Sequence, residues 1–251
     1  MLKISGLTKQ YKGQNAPAVS GLDLEVRPGE IMAFLGPNGA GKSTTIKCIT
    51  GILPYDTGSI EICGYNLKSD PIQAKMNIGF VPDNHATYEN LTAIDYINFI
   101  CNIYRVPVEE RKERIDELAE MMSLTQAMNK PINSFSHGMK QKVSVIAALV
   151  HKPKLWILDE PMTGLDPKSA HVLKELMRKH CDEGNSVFFS SHVLEVVEKL
   201  CDRLAIIKGG ELIEVMSMDA LRDKKSDLSL EEFFLSVTDN NYESEHSYTE
   251  E

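Results

Sequence analysis

The chain has 251 residues, enough for one large α/β domain or two small ones, and its 42% hydrophobic and 25% charged residues are the proportions of a water-soluble globular protein. A net charge of −9 argues against strong non-specific binding to nucleic acid or anionic lipid. No apolar run approaches the roughly 18 residues that cross a bilayer, the N-terminus carries no charged-then-apolar leader, and the five cysteines (Cys48, Cys63, Cys101, Cys181 and Cys201) lack metal-ligand or redox-motif spacing and read as free thiols in a reducing compartment.

In chain order, residues 2–35 read as β-rich. Leu22-Asp23-Leu24-Glu25-Val26 alternates apolar and charged side chains, the pattern of a half-buried strand. Tyr11 lies ahead of it in a polar segment, either as a face on which a purine could stack or as an ordinary core or edge aromatic. Pro28-Gly29 is a turn. Ile31 to Leu35 then leads into Gly36-Pro37-Asn38-Gly39-Ala40-Gly41-Lys42-Ser43-Thr44. Strand, glycine-rich loop and helix in that order form the context of a phosphate-binding P-loop. The backbone of Asn38, Gly39, Ala40, Gly41, Lys42, Ser43 and Thr44 would cradle phosphate oxygens. The helix that follows points its N-terminus, about half a positive charge, at the same anion. Lys42 would reach the β- and γ-phosphates, and the Ser43 hydroxyl would ligate Mg²⁺.

The P-loop helix is predicted from Ser43 to Thr50, stopped by Gly51 and Pro54. Asp56-Thr57-Gly58 is a turn, Ser59 to Cys63 a strand, and Asn77 to Val81 another short strand ending in Pro82-Asp83. From Asn84 to about Val150 the composition is helical, a lobe inserted between two strands. Thr92 with Asp95 three residues on marks a helix start. Glu109 to Met122 is a second helix, with Ile115, Leu118, Met121 and Met122 in an apolar stripe. Asn133 to Met139 is a polar turn opening a third, which Pro153 ends. Leu155 to Leu158 is apolar on both faces, as in a buried parallel strand, and ends in Asp159-Glu160. Pro167 to Cys181 is a helix with Asp166 as N-cap. Ser186 to Ser191 is a further buried strand, ending at His192. Leu204–Ile207 and Glu211–Val215 flank Lys208-Gly209-Gly210 as a β-hairpin. An amphipathic helix from Leu230 to Val237 closes the domain, and the acidic stretch 239–251 reads as a disordered tail.

The P-loop, Asp159-Glu160 and His192 thus fall at ends of predicted strands, which face the ligand crevice in an open parallel sheet. An acidic pair after a buried strand, downstream of a P-loop, fits a Walker B role. Asp159 would hold Mg²⁺ through water, and Glu160 would polarise the attacking water as general base. His192 could contact a γ-phosphate and orient Glu160, or serve only the start of a helix.

This order and spacing resemble the nucleotide-binding domains of ATP-binding cassette (ABC) transporters over residues 1–238. The resemblance rests on Gly36 to Thr44 (Walker A), Phe135-Ser136-His137-Gly138-Met139-Lys140-Gln141 (signature), Leu155 to Glu160 (Walker B), Gly164-Leu165-Asp166-Pro167 (D-loop) and Ser191-His192 (H-loop). It implies an α/β P-loop NTPase fold, with a RecA-like core, an antiparallel β subdomain and an inserted α-helical subdomain at 84–150. It implies ATP as substrate and Mg²⁺ as cofactor, Tyr11 against the adenine, and catalytic roles for Glu160, His192 and Lys42. Two subunits would sandwich two nucleotides head to tail. Ser136 would bond the γ-phosphate held by the other subunit, and Gly138 would let the backbone approach it. Ser136 and Asp166 read equally as helix N-caps.

Two positions depart from the family pattern. His137 stands where the signature usually has glycine, and Asp83 stands where a glutamine is usual. Asp83 is anionic and shorter, so a part at the metal would run through an intervening water. The property this substitution touches is coupling to the membrane partner. The resemblance implies a cytoplasmic ATPase subunit, peripheral on the inner face of the cell membrane, paired with a second ATPase subunit and driving a separate transmembrane permease. It is most like the branch exporting drugs, peptide antibiotics or lipids, with no nucleic-acid partner. The alternative is a soluble ABC ATPase acting as a nucleotide-controlled clamp without a permease. Only about 95 residues separate Gly41 from Ser136, too few for the long coiled coils of chromosome-structuring relatives.

Overall fold

Strands buried along almost their whole length form the middle layer of the computed structural model, which describes residues 1–83, 88–224 and 230–238. In chain order the strands are β1 (Leu2–Lys9), β2 (Val19–Val26), β3 (Ile31–Leu35), β4 (Thr57–Ile62), β5 (Tyr65–Asn66), β6 (Ile78–Val81), β7 (Leu155–Leu158), β8 (Ser186–Ser191), β9 (Arg203–Lys208) and β10 (Glu211–Ser217). The helices are α1 (Lys42–Ile49), α2 (Pro71–Met76), α3 (Ala93–Ile103), α4 (Val108–Met121), α5 (His137–Leu149), α6 (Pro167–Asp182), α7 (Leu194–Leu200), α8 (Met218–Lys224) and α9 (Leu230–Thr238). None of the described helices is long and apolar enough to cross a membrane.

The core sheet has the order β10-β9-β3-β8-β7-β6. β9, β3, β8, β7 and β6 run parallel, and β10 returns antiparallel along β9. Side chains alternate between the faces of a strand, so each continuous apolar run feeds two cores. Ile31, Ala33, Leu35, Trp156, Leu158, Val187 and Phe189 join α3 to α6 on one face. Met32, Phe34, Leu155, Ile157 and Phe188 meet α1 and the second sheet on the other. There Phe34 and Phe188 touch with ring centroids 5.4 Å apart, a contact worth about 1 kcal/mol beyond its buried area. The second sheet, β2-β1-β4-β5, is antiparallel. It turns Leu22, Leu24 and Val26 inward and leaves Asp23 and Glu25 outside, the half-buried alternation read from the sequence.

The helical insert lies between β6 and β7, which are neighbours in the sheet. Its last helix, α5, packs on β6 as well as on α3 and α4, and so joins the insert to the core. Residues 84–87, with which the insert was expected to begin, and the tail 239–251 lie outside the described residues. On α4 the apolar stripe differs from the expectation. Ile115, Ala119 and Met122 are buried, while Met121 is exposed. Six residues from Ile115 amount to about 240° around the helix, which turns Met121 off the buried face, whereas seven return almost to it. β4 begins at Thr57, inside the predicted turn, because Thr57 pairs with Thr8 of β1. The short α2, α7 and α8 and the two-residue β5 were not predicted. One or two turns of helix hold too few residues to display a 3.6-residue period.

Candidate active site

Four strands of the core sheet deliver the site. Leu35 of β3 is level with Ser191 of β8, and Val81 of β6 with Leu158 of β7. The segments leaving the carboxyl ends of these strands therefore emerge side by side. Beyond β3 the chain turns through the P-loop into α1, which begins at Lys42, one residue earlier than predicted. Gly41 has φ +110°, and a Cβ on it would lie 2.5 Å from the Ala18 carbonyl oxygen, so only glycine lets the loop close against the residue that leads into β2. No side chain caps the start of α1, which leaves the amides of its first turn for an anion. A cleft of about 260 Å³ opens over this turn, lined by Asn38 to Thr44 together with Ala18, Asp83 and Glu160.

Lys42 is buried. Its ammonium donates to the carbonyls of Gly36 at 2.7 Å and Pro37 at 3.3 Å, and stands 3.8 Å from Glu160 Oε1. Glu160 Oε2 is 2.8 Å from His192 Nδ1. The backbone of Glu160 is left-handed, with φ +48°, which turns the chain out of the line of β7. Asp159, also buried, directly follows β7. Its Oδ1 accepts a 2.6 Å hydrogen bond from the Ser190 hydroxyl, and Ser190 Oγ accepts the Glu160 N–H at 2.9 Å. Ser190 was not among the expected site residues. Inside an apolar strand a serine belongs to no motif and has no period, and its place two residues before His192 is the one trace it leaves in the sequence.

Tyr11 lies between β1 and β2 at the rim of the P-loop. Its hydroxyl is 3.2 Å from Thr44 Oγ1, and Lys9 Nζ is 6.0 Å from its ring centroid. Asp83 lines the cleft beside Glu160.

Ser136 and Gly138 are not among the residues lining that cleft. Ser136 caps α5, its hydroxyl accepting the Met139 N–H at 3.3 Å. The turn packs against the segment after β7. A Cβ on Gly138 would lie 2.6 Å from the Gly164 carbonyl oxygen, and one on Gly164 would lie 2.3 Å from His137 Cδ2. Gln141, buried, donates to the Pro161 carbonyl at 2.9 Å. Asp166 caps α6 and stands 3.6 Å from Lys142. Bonds from the Ser169 hydroxyl and N–H hold its carboxyl down at about 2.

A polyphosphate laid along the P-loop would meet a cation, a free helix start and, at its far end, a carboxylate backed by an imidazole. This is the equipment of a P-loop nucleoside triphosphatase. The profile of the ABC transporter family matches residues 19–163. The linearmycin resistance ATP-binding protein LnrL of Bacillus subtilis (strain 168) is 40% identical over 215 residues, 86% of this chain and 68% of that protein. The bacitracin transport ATP-binding protein BcrA of Bacillus licheniformis is 38% identical over 225 residues, 89% of this chain and 72% of that one. Among solved structures, an ATP-binding subunit of an ABC transporter superposes with a TM-score of 0.89 at 31% identity, covering 94% of this chain and 99% of that chain. A dimeric ATP-binding cassette in a post-hydrolysis state with ADP and Pi gives 0.79 at 26% identity, covering 87% and 99%. The chain belongs to the ABC transporter family as an ATP-binding, ATP-hydrolysing cassette. The names of its relatives agree with the expected drug and antibiotic branch.

Proposed function

We propose that this chain is the ATPase subunit of an exporter: two cassettes close around two ATP molecules and drive a separate permease at the inner face of the cell membrane. The linearmycin and bacitracin names of its relatives favour an antibiotic-like or lipid-like cargo. Residues 1–238 serve as one ABC ATPase unit, with 84–150 as its helical subdomain.

One observation carries the reading. Glu160 lies between His192 at 2.8 Å and Lys42 at 3.8 Å, at the end of the cleft formed by the P-loop. Lys42 and the amides from Asn38 to Thr44 bind the phosphates, with Tyr11 beside the adenine. Glu160 takes the proton from the attacking water, and His192 holds the Glu160 carboxylate and faces the γ-phosphate. Ser136 and Gly138, outside the chain's own cleft, serve the nucleotide of the partner cassette.

Ser43 and Asp159 supply the hard oxygen donors that Mg²⁺ prefers, with Asp83 acting through water. Among the described residues there is no cluster of three His, Cys, Asp or Glu suited to hold a metal by themselves. A cation shared with substrate phosphates fits that donor set. When bound, Mg²⁺ neutralises charge on the phosphates.

Glu160→Gln tests this. It keeps the shape and removes the base, so ATP turnover should fall by about 10²–10⁴, while the variant binds ATP and elutes as a stable dimer. A variant that turns ATP over at the parental rate, or stays monomeric with ATP, would remove the base assignment or the sandwich respectively. Co-purification with a polytopic membrane protein separates the transport reading from a permease-free clamp.

A further inference from the structure

We propose that Ser190 is a positioning residue for hydrolysis, fixing Asp159 and Glu160 together through a single hydroxyl. The proposal rests on the roles given above to those two acids.

Ser190 is fully buried in β8, which lies between β3 and β7 in the sheet. A serine hydroxyl has one proton to give and lone pairs with which to accept. Here both capacities are used on consecutive residues of β7's outgoing segment. The proton goes to Asp159 Oδ1 at 2.6 Å, and the oxygen receives the Glu160 N–H at 2.9 Å. The first bond has a carboxylate acceptor and is of the stronger kind. The second holds a backbone at φ +48°, a conformation that a non-glycine residue keeps only where its surroundings determine it.

The consequence is geometric. Glu160 is gripped at both ends by β8 and the residue just beyond it. Ser190 takes its backbone N–H, and His192, two positions on, takes its carboxylate at 2.8 Å. Alternate residues of an extended chain lie on the same side, so one strand end presents both grips toward β7. Without the Ser190 hydroxyl, the Glu160 backbone loses a reason to stay left-handed, and Asp159 loses its tie to β8. Ser190 needs no contact with nucleotide to matter. It acts through the two carboxylates, as residues behind metal ligands and catalytic groups do.

The test uses the purified full chain with Ser190→Ala, Ser190→Cys and Ser190→Thr, and Glu160→Gln alongside. ATPase rates are measured against ATP and against Mg²⁺, with melting temperatures. Ser190→Cys keeps the volume but is only a weak hydrogen-bonding group, so it reports even if Ser190→Ala unfolds. The expected result is a fall in kcat of about 10- to 100-fold for Ala and Cys. The KM for ATP should move much less, the Mg²⁺ needed for half-maximal rate should rise, and Ser190→Thr, which keeps the hydroxyl, should recover most of kcat. Folded Ala or Cys variants with near-parental kcat and Mg²⁺ dependence, and only a lowered melting temperature, would reduce Ser190 to a structural residue and overturn the proposal. So would a Ser190→Thr variant that melts like the parent yet is as slow as Ser190→Ala. If Glu160→Gln itself hydrolyses ATP at the parental rate, the underlying assignment of the base has failed, and not the Ser190 inference alone.

Discussion

His137 occupies a position where the family usually has glycine, and its ring fills the space that Gly164 leaves open. A Cβ on Gly164 would meet His137 Cδ2 at 2.3 Å, and the residue has φ +76°. Gly164→Ala therefore carries two separable costs. The left-handed backbone costs about 1–2 kcal/mol for a residue with a Cβ, and the collision with the imidazole adds to it. If the hydrolysis-ready state bears the backbone cost, the ATPase rate falls by about 5- to 30-fold from that source alone. Adding His137→Ala should return the part due to collision and leave the rest. A double variant no faster than Gly164→Ala would show that the ring does not press on this loop. In the folded chain the His137 ring thus lies against Gly164, a contact made within one subunit.

At the scale of elements, α3 shows how a local rule survives with a changed partner. Thr92 and Asp95 stand at capping-box positions. Thr92 Oγ1 accepts the Asp95 N–H at 3.2 Å as expected, but the Asp95 carboxylate bonds the Thr92 hydroxyl, at 2.6 Å. Thr92→Ala removes both bonds and should cost about 1 kcal/mol. That corresponds to about 2–4 °C in melting temperature for a domain of this size, measurable by calorimetry; an unchanged melting temperature would mean that α3 is held by packing alone. Features written within one segment were legible in this way. Leu155–Leu158 reads as a strand buried on both faces, and the P-loop reads from its spacing. The carboxylate and imidazole that meet at 2.8 Å, Glu160 and His192, were each visible as a residue at a strand end. What escaped depends on two distant segments meeting. The hydroxyl of Ser190 acquires its part only when β8 lies beside β7, and His137 only when the D-loop turns under it. Met121 escaped for a local reason: the 3.6-residue period separates it from Met122 by 100°.

At the scale of the molecule, two histidines outside the nucleotide site make folding depend on pH. His151, just beyond α5, stacks on Tyr104 at the end of α3, with ring centroids 3.6 Å apart. His180 of α6 meets Trp156 of β7 edge-on at 5.8 Å. Both join the helical layer, one within itself and the other to the sheet. Burial pushes both imidazoles down to about 4, with Arg114 adding to the effect at His151 and Lys154 at His180. Their folded values lie below the ordinary 6.5, so the unfolded chain takes up protons that the folded chain refuses. Their neutral state is compatible with full stability above pH 6.5, and stability is lost as pH falls from there toward about 4. Between pH 7 and pH 5 the loss is about 2 kcal/mol for each histidine. Asp166, held at about 2, titrates below this window. Urea unfolding at the two pH values isolates the effect when the parent is compared with His151→Asn/His180→Asn. The double variant is less stable at pH 7 because it loses packing. Its further loss on going to pH 5 should nevertheless be smaller than the parent's by about 4 kcal/mol, because every other titrating group is common to both chains. Equal losses would mean that the two rings take up protons as readily in the folded chain as in the unfolded one, and that burial does not lower their pKa values.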